Sequence, residues 1–337
     1  MRNIYDLTLK ELEEYFISIG EKSFRSTQVY EGLYKKRFNS FDEMTNISKD
    51  LRTKLKEKFS QDKIKLIIKQ QGENVNKYLF ELEDGNKIES VLMFHDYGTS
   101  ICVSSQVGCN MTCAFCESGR LKKVRNLLAY EIVQQILLVE EDIKKRITHV
   151  VVMGIGEPFD NYDNVMRFVK IINCGKGIDI GSRHITISTC GVVPGIKKFM
   201  EEEGQVNLAI SFHAPNDELR SKIMPINKAY HIDELMKVIK EYISKTNRRV
   251  TFEYIMIDDV NDSEKEAQEL ANLLKGINCY VNLIPYNETK NIGFKRSKEW
   301  KILKFYDILK KNKINTTIRK EFGGKVDAAC GQLRANN

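Results

Sequence analysis

Three cysteines lie close together in the run Gly108-Cys109-Asn-Met-Thr-Cys113-Ala-Phe-Cys116. Thiolates at this spacing are typical ligands of zinc or of an iron-sulfur cluster. Structural zinc usually takes four ligands in two pairs, and no Cys-x-x-Cys or His-x-x-x-His partner follows downstream. Three thiolates on a 4Fe-4S cluster leave one iron open to a non-protein ligand. The triplet therefore favours a cluster with an open iron, with zinc or a simple electron-transfer cluster as alternatives.

Other polar residues come at the ends of apolar runs. Gly156 and Glu157 belong to Gly154-Ile-Gly-Glu-Pro158, Ser188 ends a second run, and Ser211-Phe212-His213 ends a third. Hydroxyl and imidazole groups there can bind a ribose or a carboxylate. Taken singly, each residue is more typical of a satisfied polar group at a strand end. Cys174, Cys190 and Cys279 have no motif partners, and we interpret them as small buried apolar residues.

Six short apolar runs alternate with helical patterns from residue 100 onward, which predicts an α/β protein with a parallel sheet. The predicted strands are 101–104, 148–153, 184–188, 206–212, 250–256 and 280–284. This pattern fits a partial TIM-like barrel or a doubly wound sheet. In both, chemistry gathers at the carboxyl ends of the strands, and the cysteine run directly follows the first of them.

The first part of the chain differs from the rest. Thr8-Leu-Lys-Glu11 and Ser40-Phe-Asp-Glu43 have the form of capping boxes, and they predict a helical module over residues 1–75. The runs 77–82 and 87–93, joined through Asp84-Gly85, predict a β-hairpin linker over 76–94. A core over 95–323 and a C-terminal segment over 324–337 complete the predicted division.

Charge and hydropathy narrow the function classes. No apolar run is long enough to span a bilayer, and the polar start resembles no secretory signal, so we expect no membrane contact and a cytoplasmic location. The net charge is +7, and residues 1–70 hold 15 basic and 11 acidic residues. This excess favours a polyanionic partner and makes the N-terminal module a candidate RNA-binding module, although solvated helix faces explain it equally well.

The cysteine run resembles the signature of the radical S-adenosylmethionine (SAM) superfamily. Four stretches narrow the resemblance: 102–109, 153–158, 206–227 and 327–333. They are similar to the family of dual-specificity methyltransferases that modify C2 of one adenine in 23S rRNA and of one in certain tRNAs. The resemblance implies a partial (β/α)6 radical SAM barrel with a small N-terminal helical domain and a β-hairpin.

The resemblance also implies roles for residues. Cys109, Cys113 and Cys116 would hold the 4Fe-4S cluster. SAM would be bound by the glycine-glutamate loop and by residues at the strand ends. The residues expected to contact it are Gly156, Glu157, Ser188, Ser211, Phe212, His213 and Asn287. The resemblance implies that two SAM molecules are used per turnover. One would methylate Cys330, and the other would yield a radical that takes a hydrogen atom from the S-methyl group. The resulting carbon radical would then attack the adenine ring. Cys102 would then release the product by forming a disulfide with Cys330, and Glu89 would accept a proton.

The same resemblance implies binding partners for the protein, and it leaves two alternative functions to consider. It implies 23S rRNA and tRNA as partners, an electron donor such as flavodoxin or ferredoxin, and a monomer. Glu117 stands where the family usually has a small residue, which leaves local SAM or RNA contacts open. A related family methylates C8 of the same rRNA adenine and confers antibiotic resistance. Pro158 and the stretch 216–220 favour C2, and an iron-sulfur sensor without turnover is the other alternative.

Overall fold

The computed structural model describes residues 1–202, 204–289, 291–319 and 331–333. An N-terminal module packs its helices around a strand pair, with the bounds β1 (Arg2–Asn3), α1 (Leu9–Ser18), α2 (Phe24–Tyr34), α3 (Lys49–Lys58) and β2 (Phe59–Ser60). The strands β1 and β2 pair in parallel and so join the two ends of the module.

Helix α1 begins as the sequence predicts. Thr8 Oγ1 accepts from the Glu11 backbone N–H, and the Glu11 carboxylate accepts from the Thr8 N–H at 2.9 Å. The second predicted box does not start an α-helix. Ser40 caps only a single 3₁₀ turn, Phe41–Glu43, and the helix α3 begins later, after Ser48. Local capping chemistry is present at Ser40, but no amphipathic run follows it.

Three antiparallel strands follow: β3 (Lys65–Gln71), β4 (Val75–Glu81) and β5 (Lys87–His95). The predicted hairpin is confirmed as β4 and β5, with Gly85 at a φ of +79° in the turn. The strand β3 lies in a stretch that the sequence assigned to the helical module. The hairpin is also more than a linker, because β5 pairs with the first core strand and extends the central sheet.

The core alternates strands and helices. Its elements are β6 (Gly98–Val103), β7 (Gln106–Val107), β8 (Arg125–Asn126), α4 (Ala129–Ile143), β9 (His149–Val152), α5 (Tyr162–Asn173), β10 (Ile185–Thr189), α6 (Val193–Met200), β11 (Asn207–Ser211), α7 (Asp217–Ile223), α8 (Ile232–Thr246), β12 (Val250–Met256), α9 (Glu264–Leu274), β13 (Cys279–Pro285), α10 (Glu299–Lys311) and β14 (Thr316–Ile318). No helix among the described residues combines the length and apolar character needed to cross a membrane.

The six predicted strands are confirmed as β6, β9, β10, β11, β12 and β13, which lie side by side in parallel in sequence order. A further parallel strand, β14, extends one edge, and the antiparallel β5, β4 and β3 extend the other. Within the described residues the sheet is open, with β14 and β3 as its edges. This is the partial barrel of the prediction, and all the parallel carboxyl ends meet on one side.

Candidate active site

The cysteine loop is held at both ends by backbone hydrogen bonds. The short strands β7 and β8 pair on either side of it, Cys109 N–H donates to Leu121 O at 3.0 Å, and Val124 N–H donates to Val107 O at 2.8 Å. Gly108 has a φ of +72°, and a Cβ there would lie 2.1 Å from the Lys122 carbonyl oxygen. Only glycine fits this crossing, which fixes where the loop leaves β7.

The three cysteines share one cavity of about 140 Å³ with the carboxyl ends of the strands. Of the residues predicted to bind a cofactor, five line it: Gly156, Glu157, Ser188, Ser211 and His213. The structure thus brings together the cysteine triplet and most of the strand-end residues that the sequence singled out.

The spread of the three sulfurs bears on which metal they fit. A tetrahedral zinc with Zn–S bonds of about 2.3 Å places its sulfurs about 3.8 Å apart. Among the described residues, the group whose ligand atoms all lie within 4.8 Å of one another is Asp258, Asp259 and Asp262, and Lys301 Nζ forms an ion pair with each of them at 2.6–3.3 Å. The cysteine triplet does not meet that limit among the described residues. This arrangement is compatible with thiolates that each bind a different iron of one cluster.

Burial makes these thiols poor acids on their own. It raises the pKa of Cys109 to about 12 and that of Cys113 well above its usual value, and the neighbouring cysteines raise both further. Arg220 opposes this effect at Cys113. Ionised sulfur at this place therefore requires a positively charged metal to compensate it, as expected for ligands.

Glu157 ties two strand ends together. Its Oε1 accepts from the Phe159 N–H at 3.0 Å, and its Oε2 accepts from the Cys190 N–H at 2.8 Å. Burial raises the pKa of this carboxyl group, and the backbone donors counteract the rise. The preceding Gly156 has a φ of +109°, and a Cβ there would approach Gln106 Cβ to 2.6 Å. The conformation of the glycine-glutamate turn is therefore fixed where the turn lines the cavity.

The hydroxyl and imidazole groups lie on the neighbouring strand ends. Ser188 Oγ and Ser211 Oγ are 3.3 Å apart. His213 is buried, and its Nδ1 accepts from the Ile255 N–H at 3.0 Å, so the neutral ring carries its proton on Nε2. Burial and the nearby Arg220 lower the pKa of His213 to about 3. The ring packs edge-on against Phe115, with centroids 4.9 Å apart, and is a fixed neutral donor.

Two residues predicted to bind the cofactor lie elsewhere. The Phe212 side chain is fully buried in the main core and packs edge-on against Phe252, with centroids 5.3 Å apart. Side chains alternate along a strand, so the residue between Ser211 and His213 points away from the cavity. Asn287 lies beyond the end of β13, half-buried, with its Nδ2 3.5 Å from Pro285 O, and it does not line the cavity.

Two of the three residues predicted for group transfer, Cys102 and Glu89, lie on the paired strands β6 and β5. Cys102 on β6 is 7% exposed and packs in an apolar cluster with Val91 and Leu333. Glu89 on β5 is buried, which rules out an exposed strand carboxylate, and Lys77 Nζ lies 3.0 Å from its Oε1. Cys330 lies outside the described residues. The next residue, Gly331, is described, and its carbonyl oxygen accepts from the Glu117 N–H at 2.8 Å, directly after the cysteine triplet.

Three charged residues at the site were missed by the sequence interpretation. Arg220 is fully buried next to Cys190, while Glu253 and Arg319 line the same cavity. The sequence could have indicated Glu253, because a carboxylate within the apolar strand 250–256 is expected to be buried and therefore needs a hydrogen-bond partner. That partner is Asn282, whose Nδ2 donates to it at 2.8 Å.

Comparison with solved structures identifies the class. The fold matches the crystal structure of a radical SAM methyltransferase from Sphaerobacter thermophilus with a TM-score of 0.94 and 42% identity, covering 100% of both chains. Residues 103–271 match the radical SAM superfamily, and residues 2–60 match the ribosomal RNA large subunit methyltransferase N-terminal domain. Together with the cysteine cavity, these matches define a radical SAM methyltransferase.

The particular family follows from two relatives that each bear the name probable dual-specificity RNA methyltransferase RlmN. The protein from Spiroplasma citri is 54% identical, over 100% of this chain and 98% of its own. The one from Enterococcus faecalis is 56% identical, over 99% of this chain and 96% of its own. The chain belongs to the RlmN family of dual-specificity RNA methyltransferases, which use a 4Fe-4S cluster and SAM. The resemblance and the fold inferred from the sequence are thereby confirmed.

Proposed function

We propose that the protein transfers a methyl group from SAM to C2 of adenine 2503 in 23S rRNA and to C2 of adenine 37 in some tRNAs. The observation that carries this proposal is the joint cavity of the cysteine triplet and the strand ends, with Gly331 held beside it. Adenine C2 is electron-poor and does not attack a methyl sulfonium as a nucleophile, so the transfer requires a radical route. Cys109, Cys113 and Cys116 would hold a 4Fe-4S cluster with one open iron, and such a cluster would supply the electron that a radical route needs.

Two groups of residues hold the cluster and orient SAM. Cys109, Cys113 and Cys116 hold the cluster, while Gly156, Glu157, Ser188, Ser211 and His213 orient SAM. The neutral His213 offers one N–H donor, and the two serine hydroxyls offer donors and acceptors for ribose or carboxylate oxygens. The buried walls exclude water from this space, which protects a reactive carbon centre.

Two further cysteines carry the methyl group and release the product. Cys330 would take the methyl group of one SAM on its sulfur, with S-adenosylhomocysteine as the leaving group. One hydrogen atom of that S-methyl group would pass to the radical derived from a second SAM, and the carbon would then bond to C2 of the adenine, with the unpaired electron of the adduct returned to the oxidised cluster. Glu89 would accept the C2 proton, with its charge balanced by Lys77. Cys102 would then attack the Cys330 sulfur, which breaks the sulfur–carbon bond, leaves a disulfide between the two cysteines and lets the released carbon take up a proton as the methyl group. An external thiol must reduce that disulfide before the next turnover.

The proposal extends to partners and location. The N-terminal module over 1–75 contributes to RNA binding, the protein acts as a monomer in the cytoplasm, and a flavodoxin or ferredoxin supplies the electron. In this proposal the core over 95–323 holds the cluster and SAM, and the C-terminal segment over 324–337 carries Cys330. The hairpin contributes Glu89 to the site.

Two cysteine variants test the proposal. Cys330→Ala abolishes the methyl mark, because the methyl group never reaches the protein. Cys102→Ala still attacks RNA but accumulates a covalent protein–RNA adduct, seen as a shifted band that returns after ribonuclease digestion. Cys279→Ala, on the remote strand β13, is the matched control and turns over normally. Normal turnover by Cys102→Ala contradicts the assignment. Because 2-methyladenosine and 8-methyladenosine have the same mass, liquid chromatography against both standards, coupled to mass spectrometry, distinguishes C2 from C8.

A further inference from the structure

The C-terminal residues 331–333 are attached to the turn that follows the cysteine triplet. Glu117 N–H donates to Gly331 O at 2.8 Å, and Ser118 Oγ donates to Leu333 O at 2.7 Å. Gln332 Nε2 donates to Glu288 O at 3.1 Å from the other side. Three successive residues are thus each hydrogen-bonded to a loop at the carboxyl end of the barrel. Ser118 itself is buried and lines the cysteine cavity.

The side chain of Leu333 makes a second kind of contact. It is buried in the apolar cluster that contains Cys102, together with Val75, Val91 and Ile155. Gly331 lies at the opposite end of the same short segment, with a φ of +84°, and a Cβ built on it would be 3.4 Å from the Phe115 carbonyl oxygen. The segment therefore runs from the cysteine loop at Gly331 to the Cys102 cluster at Leu333.

We propose that Ser118 and Leu333 are positioning residues, which hold residues 331–333, as a latch, between the cysteine loop and the Cys102 cluster and so set the rate at which Cys330 is methylated. This inference rests on the proposed role of Cys330. Ser118 fixes the segment through its Leu333 carbonyl, and the Leu333 side chain anchors the same residue through burial. Neither residue is itself a reacting group in the proposed function.

Residues 331–333 are held by three hydrogen bonds and one buried leucine side chain, each of which is a single interaction of ordinary size. In the proposed function, Cys330 has to meet the methyl donor, then the RNA base, then the Cys102 sulfur. Individual interactions of this size can break and re-form between these steps.

Hydrogen exchange tests the latch without turnover. In Ser118→Ala and Leu333→Ala, the Glu117 amide, which donates to Gly331 O, exchanges at least about fivefold faster, because each change removes one anchor of the segment. The matched controls are Thr246→Val, which removes a hydroxyl-to-carbonyl bond at the end of α8, and Leu303→Ala, which truncates an exposed leucine on α10. Unchanged exchange in both latch variants overturns the latch.

Positioning is tested by the initial rate at which SAM methylates Cys330, measured by peptide mass spectrometry on protein with full iron content. We expect about a fivefold loss in Ser118→Ala, a tenfold or larger loss in Leu333→Ala, and rescue by Ser118→Thr and Leu333→Met. Faster exchange with a wild-type methylation rate overturns the positioning role. Absence of methyl on Cys330 in the wild-type protein contradicts the proposed function instead, while the exchange data still decide whether the latch exists.

Discussion

Arg220 is a full cation within the fold, and its hydrogen bonds explain how it is tolerated. Its Nε donates to Phe212 O at 3.1 Å, its Nη1 to Asn227 Oδ1 at 3.0 Å, and its Nη2 to Cys190 O at 2.7 Å. The planar guanidinium group thereby joins α7, which carries it, to the ends of β10 and β11 and to the 3₁₀ turn Pro225–Lys228. A lysine offers no such fork, so the position requires arginine.

Arg220→Met removes those donors and leaves buried carbonyl oxygens unpaired. We expect the free energy of unfolding to fall by at least about 3 kcal/mol, because each buried acceptor loses a charge-assisted bond. Urea unfolding of the protein measures the loss. Arg220→Lys restores the charge without the geometry and recovers only part of it. A loss below about 0.5 kcal/mol for Arg220→Met would show that the network does not stabilise the fold.

The cysteine triplet gives a second prediction at the residue scale. Anaerobically purified protein contains about four iron and four sulfide per chain, and Cys113→Ala loses them because two thiolates do not retain a cluster. Cys190→Ala is the matched control, since Cys190 lines the same cavity without belonging to the triplet, and it keeps its iron. Iron and sulfide analysis with absorption spectroscopy measures both. Stoichiometric zinc in a colourless protein contradicts the assignment.

The site could be predicted from the sequence where its residues are neighbours in the chain. Cys109, Cys113 and Cys116 are recognisable by their spacing, and Glu157 by its glycine turn. Arg220 and Arg319 could not be found in this way, because their partners come from other strands of the sheet. The position of Phe212 follows from strand alternation, which places it opposite Ser211 and His213. Phe212 was predicted to belong to the site only because it lies within a sequence motif.

At the scale of elements, α1 connects the N-terminal module to the core through one carboxylate. Glu11 closes the capping box on Thr8, pairs with Arg2, and bonds Arg167 of the core helix α5 at 2.5 Å. Burial alone would raise the pKa of Glu11, but the hydrogen bonds from Arg167, Thr8 and Arg2 outweigh it and lower the pKa to about 2. The ionised form is therefore the one that stabilises the folded module.

This shift predicts an acid-dependent contribution to stability. The contribution of Glu11 is full above its unfolded pKa of 4.5 and is lost as the pH falls towards about 2. We expect Glu11→Gln to lower the free energy of unfolding by about 2 kcal/mol at neutral pH, after allowance for solvent screening, and by much less near pH 3. Denaturation at several pH values measures the difference. The exposed Glu14 on the same helix provides the matched control, Glu14→Gln, and a pH-independent difference for Glu11→Gln contradicts the prediction.

The element pattern of the barrel was predictable because parallel buried strands give continuous apolar runs at regular spacing. The strand β3 was missed because its residues, Lys-Leu-Ile-Ile-Lys-Gln-Gln, lack alternation and are mostly exposed at the sheet edge. The edge strand β14 has only three residues, too few for any period to show. Pairing with a neighbour, not local sequence, makes both of them strands.

At the scale of the whole molecule, the junction of the N-terminal module and the core forms a basic groove. It is lined by Lys35, Arg37, Lys63, Lys144, Lys145 and Arg146, against Glu140, Glu141 and Asp179. One guanidinium nitrogen of Arg37, Nη1, is buried without a hydrogen-bond partner. A surplus of cations between two parts of the molecule suits an RNA backbone that contacts both of them.

RNA affinity should therefore depend strongly on salt. We expect it to fall by about tenfold or more between roughly 50 and 200 mM salt, because bound lysines and arginines displace counterions from several phosphates.

The double variant Lys144→Ala/Lys145→Ala weakens binding at low salt and reduces the slope of log K against log salt by about 0.7 to 0.9 for each phosphate that it no longer binds. Lys237→Ala/Lys240→Ala removes the same charge from exposed positions on α8 and serves as the matched control. Filter binding or fluorescence anisotropy over a salt series measures both slopes. If the two double variants give the same slope, the groove contributes only its net charge and does not contact the RNA.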